Sequence, residues 1–323
     1  MPGVMDGGAM ESVPCNFCGS AATEPFAVVS DLLLERLTVK TTLVRCRQCG
    51  LVYQNPRPTL AEMGEHYPPQ YESYTDQTVQ TKRNWLLQKA VQHGTNKRCR
   101  FVTNHKRTGK LLDIGCAMGG FLLGMRDQGA WTLAGVEVNQ AVAAAARERH
   151  GLDVFAGTLE QANFPTASFD VVTLWDVFEH LHDPLHALTE IQRILRPDGI
   201  VVIRVPNLAS WDAKLFGTTW AGLDSPRHLY IFTPETLTAF LAKAGFQVVE
   251  HSCAIGSYMT FVLSIRFWLT AHGIAAKRKE AISKLLYHPL ARLLSAPLFY
   301  LVSLTLRGPL LVTVARKVEL ETP

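Results

Sequence analysis

Two pairs of cysteines and one glycine-rich turn carry the chemistry legible in this 323-residue chain. Cys15-Asn-Phe-Cys18 and Cys46-Arg-Gln-Cys49 are C-x-x-C knuckles separated by a β-like stretch, a spacing that can place four thiolates tetrahedrally around one Zn2+. Four protein ligands leave no open coordination position, so the expected zinc is structural. It would contribute folding energy to a region with few large apolar residues. The second centre is LLDIGCAMGG at 111–120, an apolar run that ends in Asp113-x-Gly115-x-x-x-Gly119. Gly115 and Gly119 have no Cβ, which lets the backbone approach a bulky ligand. Glu137 closes another apolar run, WTLAGVEV, one helix further on, and an acid at the end of a strand can take two ribose hydroxyls. The spacing is not the G-x-G-x-x-G of nicotinamide and flavin turns, which bring a pyrophosphate onto a helix N-terminus.

The elements that must position these groups follow from periodicity. From Lys110 onward the chain alternates apolar runs with helical patterns, which predicts a mostly parallel sheet with right-handed crossovers. Strands are expected at 110–115, 131–137, 152–156, 169–175, 199–205, 246–252 and 309–317, and helices near 119–128, 139–149, 183–196 and 233–244. The last two strands bracket a long insert at 256–308. Its apolar stretches, 258–269 and 285–306, flank the basic run Lys277-Arg278-Lys279. The longest uninterrupted apolar run there is shorter than the roughly 20 residues a bilayer span needs. The insert is therefore expected to be a lid, a dimer contact, or an interfacial element at an anionic membrane surface.

An apolar fraction of 47% is enough for a substantial core. The net charge of +4 hides a segment at 77–112 that carries Lys82, Arg83, Lys89, Lys97, Arg98, Arg100, Lys106, Arg107 and Lys110 without a single acid. This segment reads either as a solvated helix face and linker or as a surface for an anionic partner. Nucleic acid is disfavoured because nothing aromatic is interleaved as a stacking platform. The first thirteen residues have neither a basic nor an apolar signal region, so a reducing cytoplasmic location is expected, extending to a peripheral position at the inner membrane face. The chain divides into a zinc ribbon and wrapping loop (1–75), a basic helical linker (76–109), a sheet domain (110–255), the helical insert (256–308) and a final strand (309–318).

Asp113-x-Gly115-x-x-x-Gly119 followed by Glu137 resembles the first two motifs of class I S-adenosylmethionine (SAM) methyltransferases, and the resemblance extends over 110–253 and 309–317. It implies an α/β fold, a Rossmann-like doubly wound sheet with an antiparallel last strand, to which this chain adds a small N-terminal zinc ribbon and a helical C-terminal insert. It implies that Asp113 steadies the turn and reaches the cofactor's amino group, that Gly115 and Gly119 admit the cofactor, and that Glu137 binds its ribose. Where the family often has an acid near the adenine this chain has Thr158, and the backbone of Leu159 is expected to read the adenine edge instead. The segment FDVVTLWDVFEH at 169–180 matches the fourth strand and the loop lining the methyl donor, bringing Asp176, Glu179 and His180 to the cleft. His180 is a candidate base or a scaffold for that loop. In WAGLDSPRHLY at 220–230, where family members place acceptor-binding residues, Trp220, Arg227, His228 and Tyr230 are expected at the acceptor. His228 is a second candidate base. Arg227 suggests an anionic acceptor or pairs with Asp224. Cys116 reads as a packing residue.

The expected activity is methyl transfer from SAM to a small, lipid-linked or nucleotide-linked metabolite with a sugar or quinone-like acceptor group. Two alternatives stay open: an RNA methyltransferase that uses the ribbon and the basic segment, and a non-catalytic binding module. An oligomer is compatible with any of these.

Overall fold

The computed structural model describes residues 9–67 and 85–318; the expected loop residues 68–74 and the linker cations Lys82 and Arg83 lie outside them. At the N-terminus β1 (Met10–Glu11) precedes β2 (Thr23–Asp31), β3 (Arg36–Cys46) and β4 (Val52–Gln54), and β5 (Arg57–Pro58) returns to pair with β1. A short helix, α1 (Leu60–Met63), follows. β2, β3 and β4 form an antiparallel sheet, and one C-x-x-C knuckle before β2 and one after β3 meet at the open end of the β2–β3 hairpin. The knuckles share one design: Gly19 N donates to Cys15 O at 2.8 Å and Gly50 N donates to Cys46 O at 2.9 Å. Each turn thereby brings its two thiols round to the same side.

After α2 (Trp85–Thr103) the chain builds the central sheet. In order these elements are β6 (Gly109–Ile114), α3 (Gly120–Arg126), β7 (Trp131–Glu137), α4 (Gln140–His150), β8 (Asp153–Ala156), β9 (Phe169–Trp175), α5 (Pro184–Ile194), β10 (Leu195–Pro206), α6 (Trp211–Phe216), β11 (Tyr230–Ile231), α7 (Pro234–Lys243) and β12 (Phe246–Ser252). The insert contributes α8 (Ser257–Ala271), α9 (Ala276–Tyr287) and α10 (Pro289–Ser303), and β13 (Leu310–Lys317) closes the sheet. Strand order is β12-β13-β10-β9-β6-β7-β8, with β13 antiparallel to both neighbours and the rest parallel. The expected strands and helices of this sheet occur as read, apart from β10, which starts four residues early and is offset between Leu195 and Ile200.

Helices cover both faces of these strands, so their apolar runs are buried on both sides; Leu111, Leu112, Val171, Val172, Val201 and Val202 are fully buried. Each such side chain contributes about 1.5–3 kcal/mol of transfer free energy. Local signals start the helices where the sequence places them. Asn139 caps α4 by accepting from Val142 N at 3.1 Å, and Asp183 caps α5 by accepting from His186 N at 3.0 Å, with Pro184 next to it. All of this aims the carboxyl ends of β6, β7, β9 and β10 at one cleft.

One feature had no counterpart in the sequence. The ribbon sheet continues as β2-β3-β4-β11, with Tyr230 opposite Tyr53 and Ile231 opposite Val52. Gln54 N also donates to Leu229 O at 2.8 Å. The N-terminal region is thus stitched by strand pairing to the loop expected to hold the acceptor. The insert is packed unevenly: α8 buries Val262, Phe267 and Leu269, whereas no residue of α9 or α10 is buried.

Candidate active site

The glycine turn closes the carboxyl end of β6. Gly115 (φ 68°) and Gly119 (φ 78°) occupy the left-handed region, and a Cβ on either would lie within 2.5 Å of Val177 or 2.1 Å of Leu152, respectively. These glycines are required by backbone sign and by close protein packing, not only by the approach of a ligand. Asp113 is buried beneath the turn and accepts from Thr173 Oγ1 at 2.6 Å; burial raises its pKa to about 7. Glu137, also buried, accepts from Ala117 N at 3.0 Å and Asn139 N at 2.9 Å, one amide on each oxygen. Each carboxylate oxygen has two lone pairs, so capacity remains for a pair of vicinal hydroxyls. Burial lifts its pKa as well.

Two cations at this end of the sheet escaped the sequence reading. The Arg98 guanidinium on α2 lies over the rings of Phe121 and Trp175, at 6.0 and 5.9 Å from their centroids. Burial and the charge of Arg204 lower its pKa to about 10. Arg204 on β10 grips both oxygens of Asp176, which itself sits at φ 58°. Asp176 therefore faces a protein cation where a cofactor contact was expected. Thr158 is tied into its own turn: its N donates to Gln161 Oε1 at 2.8 Å, and its hydroxyl accepts from Gln161 N at 3.3 Å. Leu159 is buried in the main core.

Across the cleft, a 3-10 turn at Phe178–His180 presents Glu179 and His180. His180 Nδ1 lies 3.0 Å from Arg227 O and 2.8 Å from the Tyr67 hydroxyl. A carbonyl only accepts, so Nδ1 carries the proton and Nε2 is left as an acceptor with no hydrogen bond among the described residues. The same logic holds for His228, whose Nδ1 is 2.9 Å from Gly222 O. The two rings meet edge to face at 4.6 Å between centroids. Burial, reinforced by His228, pushes His180 down to about 3, and burial lowers His228. Glu179 is fully buried, and neither of its carboxyl oxygens has a hydrogen-bond partner among the described residues. Its Oε1 lies 3.9 Å from His228 Nε2, and burial beside Asp176 raises its pKa well above the carboxylate range. Burial favours the neutral form of each of the three groups, and the cluster keeps unused hydrogen-bonding capacity on Glu179.

The sequence pattern of a methyltransferase domain matches residues 87–251, which is half of the chain and spans this cleft. The chain belongs to that family. A probable S-adenosylmethionine-dependent methyltransferase of Mycolicibacterium smegmatis is 30% identical over 45% of this chain and 55% of the relative. A ubiquinone biosynthesis O-methyltransferase of Ruegeria sp. is 30% identical over 44% of this chain and 62% of its own. A malonyl-[acyl-carrier protein] O-methyltransferase of Serratia marcescens is 30% identical over 39% and 49%. The chain thus spans between about half and three-fifths of the length of the curated relatives it matches.

Within this methyltransferase, three residues expected at the acceptor are placed elsewhere. Arg227 is fully buried; its Nη2 donates to Asp31 Oδ1 at 2.7 Å and to Asp224 Oδ1 at 2.6 Å, and its Nε donates to Asp224 Oδ2 at 3.0 Å. Saturated by two carboxylates, it is not available to an anionic acceptor, which corrects that expectation in favour of the pairing with Asp224. Trp220 is buried against Val29, Leu43 and Val52, so it belongs to the seam between ribbon sheet and loop. Tyr230 is buried in β11, where its hydroxyl accepts from Arg57 at 3.0 Å and donates to His182 O at 3.2 Å. Of the loop residues expected at the acceptor, only His228 reaches the cluster. Tyr67, at the start of the wrapping loop, was not anticipated; its only sequence signal was a tyrosine-rich stretch.

The four ribbon thiols converge. Cys15 Sγ is 3.5 Å from Cys49 Sγ, Cys18 Sγ is 3.5 Å from Cys46 Sγ, and all four lie within 4.8 Å of one another. Zn–S bonds of about 2.3 Å in a tetrahedron put sulfurs about 3.8 Å apart, so the donor set fits one zinc ion with little adjustment. Cys116 is buried against the turn, as a packing residue would be.

Proposed function

We propose that this chain transfers the methyl group of SAM to a small or lipid-linked metabolite whose methylated atom must give up a proton. The observation that carries this reading is the buried cluster of Glu179, His180 and His228 beside the family's cofactor turn, with Nε2 of both rings free of a hydrogen bond among the described residues. SAM, when bound, supplies an electrophilic methyl group on a sulfonium that is its own leaving group. Glu137 would hold the ribose hydroxyls, Asp113 steadies the turn, and Arg98 would offer a cation to the cofactor's carboxylate. His228 Nε2 accepts the acceptor's proton, and a Glu179 carboxyl oxygen 3.9 Å away is placed to accept a hydrogen bond from the protonated ring. His180, fixed by Arg227 O and Tyr67, shapes the other wall. A hydroxyl on a quinone-like or sugar acceptor suits this arrangement, and the O-methyltransferases among the relatives support it. Cys15, Cys18, Cys46 and Cys49 hold a structural Zn2+, which braces β4 against β11 and so supports His228.

The experiment is a pair of measurements. Calorimetry should detect SAM binding, and a panel of quinol, sugar and lipid-linked acceptors with isotopically labelled methyl donor should identify turnover. His228→Gln should then lower kcat by about 10²–10⁴ while leaving the SAM dissociation constant unchanged. Full turnover in that variant would remove His228 as the base.

A further inference from the structure

Two features of the sequence lie largely outside the methyl-transfer site, the basic segment apart from Arg98 and the apolar insert, and the fold brings them together. α10 touches the protein through one row, Ala291, Ser295, Phe299 and Val302, which are half-buried. Phe299 anchors it, packing against Tyr258 and Phe261 of α8 at 5.3 and 5.6 Å. The opposite face carries Leu290, Leu293, Leu294, Leu298, Leu301 and Leu304, each 60–81% exposed. Isolated exposed leucines are ordinary, but six on one helix form a contiguous apolar stripe of the kind that marks an interaction surface.

Cations accompany this helix: Arg292 lies on α10 itself, on the side shared with Ser295 and Phe299, and Lys277 and Arg278 lie on α9, all exposed. On α2, His93 is held below its ordinary pKa by partial burial and by the positive charges of Lys97, Arg292 and Arg100, which sets the basic face of α2 beside α10. At the far end Trp211 N donates to Arg307 O at 3.0 Å, so the 58%-exposed Trp211 and 69%-exposed Leu215 of α6 continue the patch. No acid occurs from 281 to 318, and Glu280 is paired with Lys284 at 2.7 Å.

We propose that α10 and its cationic border dock on an anionic lipid surface, with the leucine stripe in the acyl boundary and the cations among the headgroups. The charge pattern selects this occupant. A two-fold dimer would press the same patch against itself, cation on cation, with no carboxylate in the stripe to answer them. A lipid surface answers both the apolar stripe and the charge. The helix lies in the interface without crossing it: fifteen residues rise about 22 Å against a hydrocarbon core of about 30 Å, and α9 and α10 are bent by 65° from one another. No single helix among the described residues is long and apolar enough to cross; only α9 and α10 taken together, across their 65° bend, reach that length and composition.

The test is co-sedimentation of the full chain with phosphatidylcholine vesicles and with vesicles that also contain phosphatidylglycerol. Retention should appear on the anionic vesicles and fall with salt. The double variant Leu294→Glu, Leu298→Glu, whose sites are exposed, should abolish it. Arg292→Glu should weaken it by more than the roughly fivefold expected for losing one cation near the surface, because a repelled charge takes its place. SAM binding by calorimetry, unchanged in each variant, shows that the fold is intact and keeps this proposal separate from methyl transfer. Equal retention on neutral vesicles, no retention at all, or retention indifferent to these variants overturns it. So does concentration-dependent dimerisation that the leucine variant breaks, or salt-sensitive RNA binding in place of vesicle binding.

Discussion

Replacing Arg227 with methionine tests whether the loop expected to hold the acceptor is fastened or free. The substitution keeps the volume of the aliphatic stem and removes the charge, leaving Asp31 and Asp224 without their shared partner. Asp31 retains Arg36 at 2.5 Å and Leu34 N at 3.2 Å, whereas Asp224, almost fully buried, loses the cation that holds its carboxyl below the usual range. Breaking a buried pair from one side costs about 3–5 kcal/mol, because one charge remains buried and uncompensated. An unfolding entropy of about 2.1 cal/mol/K per residue over about 300 ordered residues comes to about 0.6 kcal/mol/K, so the melting temperature should fall by about 5–8 °C. The loss should also reach catalysis, since the Arg227 carbonyl fixes the His180 tautomer. Calorimetric melting with and without SAM, together with steady-state kinetics, measures both. Adding Asp224→Asn should restore part of the stability by removing the stranded carboxylate. An Arg227→Met protein with unchanged melting temperature and a raised acceptor KM would refute the reasoning and return Arg227 to the acceptor site.

Three further outcomes are expected. Glu137→Ala should weaken SAM binding by about 2–4 kcal/mol in calorimetry, because two charge-assisted hydrogen bonds disappear; an unchanged dissociation constant would take Glu137 out of the site. Cys46→Ser should drop the metal content below one zinc per chain by elemental analysis and lower kcat as well, since β4 carries the pairing with β11; full metal occupancy would contradict the tetrathiolate centre. Acid should destabilise the protein through His180. With a folded pKa near 3 against about 6.5 unfolded, its contribution is complete above pH 6.5 and is lost between there and pH 3 by up to about 1.4 kcal/mol per pH unit. Asp113, raised to about 7, slopes the opposite way between about pH 4 and 7, so the readout is the difference in denaturation midpoint between wild type and His180→Gln; a pH-independent difference would mean that His180 titrates normally.

The parts legible in the sequence were those encoded locally. β6, β7, β9 and β10 are apolar runs at strand length, their helices start at Asn139, Asp183 and Thr233 where side-chain caps can form, and two C-x-x-C knuckles need only their spacing to be read. The Asp113 turn and Glu137 are local in the same sense, because each sits at the end of its own strand. What escaped was set by partners far along the chain. β11 is two residues long and has no period, so only its pairing with β4, some 180 positions away, defines it. Arg227 could be read as a ligand-binding cation because its partner Asp31 is 196 residues distant. Arg98 was one of nine cations in a basic run, and nothing local distinguishes it from the solvated ones; the rings of Phe121 and Trp175 beneath it do. A buried charge is a property of two or more chain segments, so a single segment cannot announce it. The same reasoning explains why His228 could be named from its loop while its neighbours Trp220 and Tyr230 were misplaced. Their polar and aromatic types suit an acceptor pocket and a buried seam equally well, and only the ribbon sheet packed against them decides between the two.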